Sequence, residues 1–254
     1  GAEVARRCRD VERRHWWYRG RRRVLERILE LFLRPDEGRR ILDVGSGTGL
    51  FHRTLHRFGT VRGIEKDPDF AGQARSDGLD VEVMDFPRET PAGPFHVVTL
   101  FDVLEHQEDD HDCLLRLRHL LAPGGLLFLS VPAIPWLYSD YDAASGHYRR
   151  YDAALLRRRL RDAGFDLLKS THFNTVLLPL AVLWRLRRLR PSGRPDAAAM
   201  VDRCGGMHEG DLQIPAAPVN ELFACVFSAE SAWAAGPGLP TGLSLAAVAR
   251  RTGV

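Results

Sequence analysis

Cysteine is scarce in this chain. The four residues, Cys8, Cys113, Cys204 and Cys225, lie far apart and form no CxxC pair. That spacing argues against a zinc knuckle and a disulfide framework, and leaves a reducing compartment as the expectation. Lysine is scarcer still. Lys66 and Lys169 stand alone, so almost all of the 36 basic residues are arginine. An excess of one charge sign is missing too, with 36 basic against 33 acidic residues and a net charge of +3. So even a balance gives no electrostatic footprint for nucleic acid. Long apolar runs are also absent. The longest, Phe173 to Trp184, contains Asn174 and Pro179 and is too short to span a bilayer. The charged opening residues carry no signal-peptide pattern, and the expected location is cytoplasmic.

What is present is ordinary for a globular domain: 44% hydrophobic and 27% charged residues over a length of 254. A chain of that size buries roughly three quarters of its unfolded surface and needs no covalent staple. No internal repeat is visible. Residues 3 to 33 read as helical, with Val24, Leu25, Ile28, Leu29 and Phe32 on one face. The aromatic knot His15-Trp16-Trp17-Tyr18 with Gly20 is expected to interrupt this region, and Pro35 and Gly38 to end it.

Strands and helices then alternate. Strands are expected at 40–44, 61–65, 79–84, 95–101 and 126–131, with helices at 50–58, 68–77 and 109–121 between them. This rhythm predicts a mostly parallel sheet covered on both faces. Residues 132–151 read as a long aromatic loop, followed by a helix to Gly164 and a sixth strand at 165–173. The amphipathic stretch up to Arg190 and the Pro-, Gly- and Ala-rich 191–218 read as an insertion or cap. A helix near 219–234 and a strand near 243–249 complete the pattern.

The strongest local signal is Ile41-Leu42-Asp43-Val44-Gly45-Ser46-Gly47-Thr48-Gly49, a strand running into glycines that open a helix. Glycine lets backbone turn tightly and approach a ligand with no Cβ between. The dinucleotide version of this turn is GxGxxG and holds a pyrophosphate at the helix N-terminus. Here the spacing is GxGxG, and Asp43 precedes it. That acid repels a pyrophosphate and suits a ligand with an ammonium or sulfonium charge. Glu65 ends the second strand, where a carboxylate can accept both hydroxyls of a ribose. Asp85 follows the third strand, and with Phe86 it can recognise an adenine. A nicotinamide-dependent reductase fits this set less well.

These residues resemble the class I S-adenosylmethionine (SAM)-dependent methyltransferases. Asp43 to Gly49 is similar to their motif I, and Glu65 and Asp85 fall where they place their ribose and adenine acids. Phe101-Asp102-Val103-Leu104-Glu105-His106 resembles the stretch after their fourth strand, and Leu121-Ala122-Pro123-Gly124-Gly125 the turn before their fifth. His15 to Arg22 and Gly238 to Ser244 resemble the flanks of a bacterial HWW-type branch. The resemblance implies a Rossmann-like seven-stranded sheet of order 3-2-1-4-5-7-6. It implies SAM as cofactor and S-adenosylhomocysteine (SAH) as product. The expected layout is an N-terminal helical lid at 1–38 and a SAM-binding domain at 39–254, with substrate caps at 132–151 and 174–218. The cofactor is expected at Trp17, Arg19, Asp43, Gly45, Ser46, Gly47, Gly49, Glu65, Lys66, Asp85, Phe86 and Phe101. Arg19 is the candidate partner of the methionine carboxylate.

His106 and His147 are the candidate bases, since imidazole titrates near neutrality. Tyr148, Arg149 and Arg150 are the candidate substrate contacts; the competing reading pairs both arginines with Asp140 and Asp142. No metal is expected, although Asp102, Glu105 and His106 resemble the acid-rich metal stretch of some ubiquinone-pathway O-methyltransferases. The expected activity is O-methylation of a small molecule or natural-product intermediate by a monomer or homodimer, without nucleic acid. A lipid-linked or glycan substrate, touching a membrane surface, and a non-catalytic binding protein are the alternatives.

Overall fold

Apolar residues on both sides of the central strands dictate a sheet buried between two layers. In β1 (Arg40–Val44) Ile41 and Leu42 point to opposite faces and enter different core clusters, as the two-residue period of a strand requires. The computed structural model describes residues 1–180, 182–183 and 213–253. Besides β1, its sheet contains β2 (Thr60–Glu65), β3 (Val81–Val83), β4 (Phe95–Phe101), β5 (Leu121–Pro132), β6 (Phe165–Phe173) and β7 (Ser244–Arg251). The order is β3-β2-β1-β4-β5-β7-β6, and β7 runs antiparallel to both its neighbours. This is the class I methyltransferase sheet that the resemblance implies.

One layer holds α5 (Asp110–Leu120) and α7 (Ala153–Asp162), whose Leu114, Leu117, Leu156 and Leu160 pack on Leu42, Leu100 and Leu129. On the opposite face lie α2 (Trp16–Phe32), α3 (Leu50–Leu55) and α8 (Ala217–Ala229), which enclose Ile41, Phe128 and Val248. Outside them α1 (Ala2–Arg14) rests on α4 (Pro68–Ser76) through Ala5, Cys8, Val11 and Phe70. Strand order reverses between β1 and β4, and ligands of open α/β sheets bind beyond the carboxyl ends at such a point.

Several boundaries differ from expectation for physical reasons. The N-terminal helix breaks at His15, inside the expected aromatic knot, and runs on through Gly20. His15 is extended (φ −70°, ψ 136°), and its side chain accepts from the Trp17 N–H at 3.2 Å. Asn220 of α8 fixes the break, accepting from Trp16 N–H and donating to the Arg14 carbonyl, both at 2.9 Å. Gly20 lies inside α2 because a Cβ there would stand 2.3 Å from the Phe227 ring. A Gly20→Ala variant is therefore expected to lose about 1–3 kcal/mol by overpacking, despite alanine's better helix propensity. Urea denaturation checks this, and an unchanged or raised stability would refute it.

The expected single helix at 219–234 is two, α8 and α9 (Ser231–Ala235). They part at Glu230, whose buried carboxylate accepts from the backbone of Thr175 and Val176 at 2.8–3.0 Å. β5 starts at Leu121 rather than Leu126, with a register irregularity against β4 between Phe95 and Val97. The 132–151 loop contains a short 3-10 turn, Pro135–Leu137, and α6 (Asp140–Ala144). The expected cap at 174–218 lies largely outside the described residues, and so does the basic stretch up to Arg190.

Candidate active site

The turn after β1 needs its glycines. Gly45, Gly47 and Gly49 have φ of 72°, 56° and 87°, values that side chains rarely adopt. A Cβ on Gly45 would meet Val103 at 2.4 Å, and one on Gly49 would meet Leu79 at 2.2 Å. At Gly47 nothing stands within 4 Å of that position. Its backbone is thus open to a ligand. Asp43 is 3% exposed. One of its oxygens accepts from the Thr99 hydroxyl at 2.7 Å, while the other, Oδ2, is buried with no hydrogen-bond partner. Thr99 is the register partner of Asp43 across β1 and β4, so the strand pairing itself delivers this bond. Burial, helped by the Glu65 charge, raises the Asp43 carboxyl to about 6.

Glu65 folds back toward the glycine loop. Its two oxygens accept from Gly47 N–H and Asp67 N–H, both at 2.9 Å. A carboxylate accepts up to about four hydrogen bonds, so half of its capacity is left. Ser46 donates to the Asp43 carbonyl at 2.9 Å and stiffens the turn. Asp85 is half-exposed and pairs with Arg88 at 3.2 Å, and Phe86 is buried in the core beneath it. Phe101 is buried as well, its ring 4.7 Å from that of Phe51.

One cation of this site escaped the sequence reading. Arg21 of α2 is buried, pairs with Asp102 at 2.6 Å, and stacks over the rings of Trp17 and Phe51 at 5.4 and 5.3 Å. Asp102 stands just past β4 at a φ of 56°, unusual for a residue with a side chain. Its other oxygen accepts from Ser130 at 2.9 Å. Arg19, the expected carboxylate partner, instead reaches sideways to Glu221 of α8 in a two-pronged pair. The two arginines are two residues apart, about 200° around the helix, so position 19 faces α8 and position 21 the opposite side, toward the sheet. The two tryptophans divide similarly, Trp16 packing on Phe223 and Phe227 and Trp17 lying under Arg21.

Beyond β4 a second group forms. His106 and His147 meet edge to face with centroids 4.7 Å apart. His106 Nδ1 lies 3.3 Å from the Gly146 carbonyl, which can only accept. The proton is therefore on Nδ1, and Nε2 carries a free lone pair. Burial, then the His147 and Lys66 charges, lower His106 to about 4. Lys66 is exposed beside Glu65. Glu105 is buried with Oε2 unpartnered, and burial beside Asp102 raises its carboxyl well above the usual range. Among the described residues, Glu105, His106 and His147 offer ligand atoms within 4.8 Å of one another. Asp102 is not in that group, because Arg21 and Ser130 hold its carboxylate.

Arg149 and Arg150 turn inward. Arg150 is buried against Asp142, with contacts of 2.8 and 2.6 Å. Arg149 pairs with Asp110 at 3.2 Å and bonds the carbonyls of Gln107 and Glu108. Both brace the loop, and their grip on a substrate anion would require breaking these pairs. Asp142 is the expected partner of Arg150, and Asp110, not Asp140, holds Arg149. Tyr148 is exposed at the rim with Trp136 and Tyr138.

Residues 16–170 match the methyltransferase-domain family. The chain belongs to that family. Its fold is that of the class I SAM-dependent methyltransferases, and membership of the methyltransferase family makes SAM the cofactor of the site. The residues fit it: a buried unpartnered acceptor on Asp43, an open backbone at Gly47 and a half-used carboxylate on Glu65. The domain is 37% identical over 106 residues to a ubiquinone biosynthesis O-methyltransferase of Xylella fastidiosa, covering 38% of this chain and 43% of that protein. It is 33% identical over 153 residues to the protein of the same name from Xanthomonas euvesicatoria, covering 51% and 64%. The match thus spans about half the length of these relatives. A solved structure of a Haloferax volcanii putative methyltransferase with the Trm112 methyltransferase activator aligns with a TM-score of 0.61 at 19% identity. That alignment covers 98% of this chain and 95% of the other. A putative methyltransferase from Bacillus halodurans aligns at 0.55 and 18% identity, over 90% and 99%. Among the described residues no helix is long and apolar enough to cross a membrane.

Proposed function

We propose that this methyltransferase transfers a methyl group from SAM to an oxygen of a small molecule, a natural-product intermediate among them. The observation that carries the choice of oxygen is His106. An acceptor hydroxyl loses a proton as it is methylated, and a positioned imidazole with a free Nε2 can take it. SAM supplies the electrophilic methyl on its sulfonium. Asp43, Gly47, Glu65 and Asp85 hold and orient the cofactor, and Arg21 offers a cation for its carboxylate. α1 and the start of α2 form a lid over the glycine loop, and residues 132–151 form the wall on which the acceptor sits. The O-methyltransferase relatives support the same reading.

Calorimetric titration with SAM, SAH, NADH and NADPH tests the cofactor. SAM and SAH are expected to bind and the nicotinamides not to. Glu65→Ala should weaken both by about ten- to a hundred-fold, the range for hydrogen bonds to a charged group. Screening hydroxylated small molecules by product mass then tests the acceptor. No SAM binding to the wild type would end the reading, and methylation confined to amines would end its choice of oxygen.

A further inference from the structure

α1 carries one acid into the glycine loop. Glu12 is partly buried and accepts a hydrogen bond from the Thr48 hydroxyl. Around it stand Arg21 from α2, Glu65 from β2 and Arg13 from its own helix, with Asp43 in reach of the same Arg21 and Glu65. The cations are mostly taken. Arg13 pairs with Asp77 at 3.2 Å, which also holds Arg9 and Arg53 at 2.9 and 3.0 Å. Arg21 is bound to Asp102 at 2.6 Å. Glu12, Asp43 and Glu65 therefore face one cleft with a single, shared guanidinium between them.

Such a cleft is short of positive charge. Protonation is one relief, and burial with the Glu65 charge raises Glu12 to about 7. The two cofactor forms differ in this respect. SAM carries an ammonium, a sulfonium and a carboxylate, a net positive charge; SAH has lost the sulfonium and is net neutral. A partly buried carboxylate in low dielectric feels that difference far more than one in water.

On the reading that SAM is the methyl donor, we infer that Glu12 is a further cofactor-recognition residue, supplied by α1, that makes the site prefer charged SAM over neutral SAH. The lid then closes more firmly on donor than on product, which favours product release. A ligand shifts an equilibrium only by its differential affinity, and here that differential is one unit of charge.

Calorimetry on the full chain at pH 7, in two buffers of different ionisation enthalpy, tests this. Wild type is expected to prefer SAM to SAH by about ten-fold and to release protons to the buffer as SAM binds, fewer with SAH. Glu12→Gln should cut the preference to near unity and remove the difference in protons. Thr48→Val, which drops the hydrogen bond but keeps the charge, should retain the preference. Thermal melts establish that both variants fold. If wild type binds neither ligand, the methyltransferase reading fails and this inference with it. If wild type binds both but Glu12→Gln weakens them equally or leaves the preference intact, the inference alone fails.

Discussion

Turnover by a His106→Gln variant is expected to fall about 10²- to 10⁴-fold, the usual worth of a positioned general base, with SAM affinity within about two-fold of wild type. The argument begins with the tautomer. The Gly146 carbonyl fixes the proton on Nδ1, so Nε2 is the accepting atom. Because its pKa is lowered to about 4 by burial and by His147, the ring is neutral at any pH above that value. The acid limb of kcat/KM for the free enzyme should thus fall near pH 4 rather than the 6.5 of an unperturbed histidine. A base this weak needs help at the moment of transfer, and Asp102, which already pulls the His106 pKa upward, stabilises the imidazolium as it forms. A variant retaining more than about a fifth of wild-type turnover, or an acid limb that survives the substitution, removes His106 from this role.

How much of the site the sequence reveals depends on how local the signal is. The glycine loop and the acids at 43, 65 and 85 are legible because each sits at a strand end, where spacing alone places it. The alternation of strands and helices gives the mostly parallel sheet, while the order of its strands is what the family resemblance implies. Arg21 is not legible in that way. Position 19 and position 21 are both arginines in one basic run, and only the packing of α2 between α8 and the sheet decides which faces the cleft. A charge argument was nonetheless available, since a buried acid such as Asp43 needs a cation or hydrogen bonds nearby. Glu12 is harder still. Its approach to Thr48 depends on the break at His15, and that break depends on Asn220, more than two hundred residues away. Arg149 and Arg150 look like anion grips in sequence. The competing reading, pairing with Asp140 and Asp142, is right for Arg150 and Asp142, but the partner of Arg149 becomes visible only when α5 presents Asp110.

That last pairing sets the second large effect. Asp142→Ala is expected to destabilise the protein by about 3–5 kcal/mol, the cost of leaving one member of a buried ion pair alone. The Asp142 side chain is 0% exposed and that of Arg150 is 8% exposed. Arg150 also donates to the Ala133 carbonyl at 3.0 Å, tying the end of β5 to the loop. The second Asp142 oxygen accepts from the backbone and hydroxyl of Ser139, both at 2.9 Å, and starts α6. A single carboxylate thus ties Arg150 to Ser139, and His147 Nδ1 lies 3.4 Å from the same carboxylate. Removing it should unseat His147 from His106, so turnover should fall together with stability. An apolar replacement of both partners, Asp142→Leu with Arg150→Met, leaves no charge stranded and should recover part of the stability. It should not recover turnover, because Ser139 and His147 still lack their anchor. Guanidinium denaturation of the two singles and the double separates these outcomes. If the single loses less than about 1 kcal/mol, or the double is no more stable than the single, then the pair is solvated in solution and does not hold the loop.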